Sequence, residues 1–120
     1  MAISVFQVQS PLSQVTRERT NEYLKTVGSA VGEELVRVDL DEFEKAPFAL
    51  VFVASGGSEG IFKEGYERIC KKPCYILTSG ESNSLAASME ILSFLKQQGK
   101  RGEILHGSVE DVARRINALK

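Results

Sequence analysis

Two short segments of this chain carry residue types that can hold a small ligand. Ser55-Gly56-Gly57-Ser58 joins two glycines, which let a backbone come close to a ligand, to two hydroxyls, and Glu59 follows where a helical pattern begins. Ser82-Asn83-Ser84 comes after Ser79-Gly80-Glu81 and opens a second helical pattern, and His106 follows a later apolar run. Hydroxyls, an amide and the carboxylates of Glu59 and Glu81 suit a polyhydroxylated ligand, whereas helix starts offer free N–H groups to an anion. The carboxylates favour a neutral sugar over its phosphate ester, because like charges repel. The same residues also have a plain structural use: Gly56-Gly57 as a tight turn, and Ser58, Ser82, Asn83 and Ser84 as helix caps. His106 reads most simply as a strand-end residue.

These segments have to be positioned by an alternation of strands and helices. Ile3 to Val8 reads as a strand, and Ser10-Pro11 starts a helix that carries Leu12, Val15, Tyr23 and Val27 inward and ends before Gly28. Glu34 to Val38 forms a second strand, and an acidic connection from Asp39 to Glu44 suits a short helix. Phe48 to Ala54 is the most continuous apolar run and is expected as the central strand, covered on both faces. Helices over Glu59–Cys70 and Leu85–Gln98, strands over Cys74–Thr78 and Gly102–Leu105, and a final helix capped by Ser108 complete the pattern. Strict alternation implies right-handed crossovers. The expected fold is therefore α/β, a three-layer open parallel five-stranded sheet in the flavodoxin-like order 2-1-3-4-5, with residues 1–120 as one Rossmann- or flavodoxin-like domain. In such a sheet, ligands bind outside the carboxyl ends of the strands, where Gln9-Ser10, residues 55–60, residues 79–84 and His106 fall.

Composition narrows the partners. Fifteen basic and sixteen acidic side chains leave a net charge of −1 with no basic stripe, which argues against nucleic acid. No apolar run is long enough for a membrane span, and the start of the chain lacks the pattern of a signal peptide, so a cytoplasmic location is expected. Cys70 and Cys74 with the single His106 fall short of a four-ligand zinc site, and Cys74 reads as a small core residue. The segment Gln9-Ser10-Pro11-Leu12 does not resemble the phosphate loop of flavodoxins, and no nucleotide-binding glycine motif or catalytic triad is found. On the helix over residues 85–98, Leu85, Met89 and Leu92 occupy one flank, and Ile91, Phe94 and Leu95 the other. That arc is wider than one sheet contact needs and fits either a wedged helix or a docking face for a second subunit or domain.

The run from Val53 to Glu59 resembles the third-strand loop in the N-terminal domain of L-fucose isomerase-like proteins. Residues 83–92, with Gly99 and Ile104-Leu105-His106-Gly107, are similar to that family's following segment. The resemblance implies the N-terminal domain of a longer aldose–ketose isomerase that is not catalytic alone. It would contribute to sugar binding and to homo-oligomer assembly, with Ser55, Gly56, Gly57, Ser58, Glu59, Ser82, Asn83, Ser84 and His106 on the sugar side. No cofactor is implied in this domain, since a divalent metal such as manganese would sit in later domains. Thr78-Ser79-Gly80-Glu81-Ser82 also resembles the hydroxyl-rich loop of phosphosugar-binding (SIS) domains. A third reading is a non-enzymatic protein-interaction module.

Overall fold

Strand and helix alternate along the whole chain: β1 (Ala2–Gln7), α1 (Gln14–Val31), β2 (Glu34–Arg37), α2 (Leu40–Glu44), β3 (Ala49–Val53), α3 (Glu59–Ile69), β4 (Cys74–Thr78), α4 (Ser82–Gln97), β5 (Gly102–Leu105) and α5 (Val109–Leu119). The computed structural model describes residues 2–8, 14–53, 59–78 and 82–120, and side chains at all of these except 14–16, 59, 61, 82 and 83. The five strands lie in the order β2-β1-β3-β4-β5, and every pairing is parallel. This is the flavodoxin-like order expected from the alternation.

β3 is central because all five of its residues are buried. Leu50 and Phe52 point into one core with Leu24, Val27 and Val31 of α1 and Val112, Ala113 and Ile116 of α5. Ala49, Val51 and Val53 point into the other, with Phe43 of α2, Phe62 and Ile69 of α3, and Ala87, Ile91 and Leu95 of α4. A strand covered on both sides has no polar face, which is why its sequence is continuously apolar. Cys70 and Cys74 are both buried in the second core, and a hydrogen bond from Cys70 together with burial pushes the Cys74 thiol well up. The end caps follow local chemistry. Asp39 accepts from the Glu42 amide at 2.9 Å to start α2, and Ser108 accepts from the Asp111 amide at 3.2 Å to start α5.

Two elements differ from the sequence reading. α1 continues past Gly28 to Val31 and is followed by Gly32 at φ 89°, so Gly32 supplies the left-handed residue that stops it. Gly28 has another cause: a Cβ there would lie 2.9 Å from the Glu33 carbonyl oxygen, and Gly32 and Glu33 both donate to the Gly28 carbonyl, at 2.9 and 3.2 Å. α4 begins at Ser82, and its wide apolar arc is divided among several neighbours. Ile91 and Leu95 are buried in the sheet-side core, the Phe94 ring meets Tyr66 of α3 edge-on at 4.9 Å, and Leu92 closes over Gly102 of β5. Among the described residues Met89, 58% exposed, is the one large apolar side chain left outside. The helix is thus wedged between its neighbours, which accounts for the wide arc without the docking face expected over residues 85–98. The described residues include no helix long and apolar enough to cross a membrane.

Candidate functional site

The carboxyl edge of the sheet is held together from beneath α4. Ser84 is fully buried; its hydroxyl donates to the Val53 carbonyl at the end of β3 and accepts from the Thr78 hydroxyl of β4 at 2.8 Å. Ser88, one turn on, donates to the Ser84 carbonyl at 2.8 Å. This buried hydroxyl relay fixes the first turn of α4 against the ends of two adjacent strands, and Ser84 is engaged inside the fold. Ser55, Gly56, Gly57 and Ser58, and likewise Gln9, Ser10 and residues 79–81, lie outside the described residues. Glu59 opens α3, and Ser82 and Asn83 open α4, with side chains outside the description. His106 is exposed just after β5. Because β5 is an edge strand two positions from β3, His106 stands about 10 Å along the sheet from the β3 end. Among the described residues no three His, Cys, Asp or Glu side chains come together to hold a metal ion.

The best-defined polar arrangement lies at the opposite edge strand. Ile3, Val5 and Gln7 share one face of β1, and Gln7 is the polar member of that buried row. Gln7 Oε1 accepts from Arg37 Nη1 at 2.8 Å, and Asn21 Oδ1 of α1 accepts from Arg37 Nη2. The guanidinium is thus oriented by two neutral amides. Among the described residues it has no carboxylate partner. It caps one end of a groove of about 710 Å³ between α1 and β2, floored by Leu24 and Leu35 and flanked by Asn21, Lys25 and Ser29. Those three flank residues are spaced by four and so form one stripe of α1. Glu33, at the other end, is neutralised by Lys120 at 2.7 Å, a hydrogen bond that holds its carboxyl below the usual range.

β2 pairs with β1 alone, so its outer backbone edge is open among the described residues. The Val38 amide donates to the Val5 carbonyl at 3.0 Å. Strand alternation then turns the N–H and C=O of Val36 toward β1, and those of Leu35 and Arg37 outward beside the groove.

No family model and no curated protein matches this chain. Among solved structures it resembles a diflavin flavoprotein A3 from Nostoc sp., with 12% identity and a TM-score of 0.49, over 98% of this chain and 94% of that one. At that identity the likeness concerns the fold, and the flavin belongs to the Nostoc protein. The sugar-isomerase reading does not stand. No isomerase or sugar-binding family matches, so the isomerase and carbohydrate assignment, the sugar partner and the oligomer contact through residues 85–98 are given up. The expectation of a domain without a cofactor rested on the isomerase resemblance and is given up with it. The ring pairs Phe6–Phe43, Tyr23–Phe52 and Tyr66–Phe94 pack against one another within the fold.

Sequence reasoning passed over Gln7, Asn21 and Arg37. The signal was a glutamine at a buried position of a strand, since a polar group of that parity needs a partner inside the fold.

Proposed function

We propose that this chain is a non-enzymatic protein-interaction module, and that its contact surface is the outer edge of β2 with the groove beside it. The observation that carries this reading is the open edge strand lying against a groove of about 710 Å³ with an apolar floor. An extended segment of a partner protein can add to such an edge. Main-chain bonds to Leu35 and Arg37 supply affinity, and alternate side chains drop into the groove and supply specificity. The two layers beneath make the edge a firm template, because β1 and β3 are fixed by cores on both faces.

Titration of the ¹⁵N-labelled chain with extended peptides tests the reading. Binding is expected to shift and protect the amides of Leu35 and Arg37 and to shift those of Lys25 and Ser29. Shifts confined to His106 and the first turn of α4, with β2 unaffected, would place the contact at the carboxyl edge and contradict it.

A further inference from the structure

The charge at the end of the groove points to the chemistry of the partner segment. Arg37 and Lys25 both line the groove, and neither has a carboxylate partner among the described residues. Glu33 is occupied by Lys120, and Glu34, which also lines the groove, sits at the end away from Arg37 with its side chain on the opposite face of β2 by strand alternation. The groove face therefore presents uncompensated positive charge at the Arg37 end and apolar surface at Leu24 and Leu35. Two of the five guanidinium N–H groups are taken by Gln7 and Asn21, which leaves three for an incoming acceptor. No ion pair has to break when an acceptor arrives, and the amides already hold the plane of the group.

Resting on the interaction reading above, we infer that the partner segment is an acidic extended strand, paired antiparallel to β2, with a carboxylate or phosphate side chain received by Arg37. Antiparallel pairing is the more stable form, and it commonly closes the edge of a parallel sheet. In such a pair, directly opposed residues share a face. The residue opposite Arg37 lies on the α1 side, and the residue two positions later in the partner lies opposite Leu35 over the apolar floor. The segment recognised therefore reads acidic, any residue, apolar, from its amino to its carboxyl end. The oxyanion comes from Asp or Glu or from a phosphorylated Ser, and both make charge-assisted bonds to a guanidinium.

Four short peptides, identical except at the residue opposite Arg37, decide the matter when titrated against the full chain. That residue is glutamate, phosphoserine, glutamine or lysine, with leucine two positions later. The glutamate or the phosphoserine peptide is expected to bind about tenfold or more tighter than the glutamine peptide, and to weaken as salt rises. Whichever of the two is tighter identifies the source of the oxyanion. In the Arg37→Glu chain the order should reverse, with the lysine peptide now preferred, a result that a merely structural role for Arg37 would not produce. Equal binding of all four peptides, with the Leu35 and Arg37 amides protected, would overturn the acidic motif and leave edge docking standing. Failure of every peptide to bind would remove both readings.

Discussion

Ser84 joins α4 to the ends of β3 and β4 through one buried hydroxyl. Ser84→Ala removes that hydroxyl from a site that water does not reach, so it should cost about 1–3 kcal/mol in urea unfolding. An unchanged midpoint would mean that the relay contributes nothing. Glycines separate by their surroundings in the same way. At Gly28 an added Cβ meets the backbone oxygen of Glu33 at 2.9 Å, whereas at Gly65 it meets only the tip of Ile69 at an ordinary 3.6 Å. Gly28→Ala is therefore expected to destabilise by about 1–3 kcal/mol, because α1 must move off the start of β2. Gly65→Ala should stabilise by about 0.5–1 kcal/mol through helix propensity. Thermal melts of the two variants should shift in opposite directions. At this scale the sequence was a partial guide. It identified Ser84 by type, but a hydroxyl that caps a helix and one that ties two strands look alike until the strands are placed.

Among the elements, α2 and α3 are held together by an exposed ionic cluster. Arg68 bonds Glu44 and Asp41, and Lys71 approaches Glu44 at 3.9 Å. The hydrogen bond from Arg68 holds the Glu44 carboxyl below its ordinary value of 4.5. Hydrogen bonding from Ser108 does the same for Asp111, below 3.8. A carboxyl whose folded value is depressed stabilises the fold above its unfolded value, and that stability is lost as pH falls toward the folded one. The melting temperature should thus begin to drop as pH falls through 4.5, and Glu44→Gln should flatten part of that slope while leaving neutral pH little changed. An identical slope in the variant would remove Glu44 from the account. Element existence was legible because each apolar run is bounded by turn residues. The end of α1 was not, since Gly28 has the look of a stop signal yet serves close approach, and Gly32 stops the helix.

For the whole molecule, strict alternation determined the parallel five-stranded sheet and its order, because right-handed crossovers leave few other arrangements. The proposed contact surface was harder to see. Gln7, Asn21 and Arg37 come from three different elements and meet only once β1, α1 and β2 are stacked. Local spacing, which pointed to the glycine-rich loops, is blind to such a meeting. The account turns on β2 being an open edge, and amide hydrogen exchange in the free chain reads that directly. The Val36 and Val38 amides, turned toward β1, should exchange slowly, and those of Leu35 and Arg37 should exchange markedly faster. Equally slow exchange at all four positions would mean that the outer edge of β2 is already covered, and would contradict the proposed interaction surface.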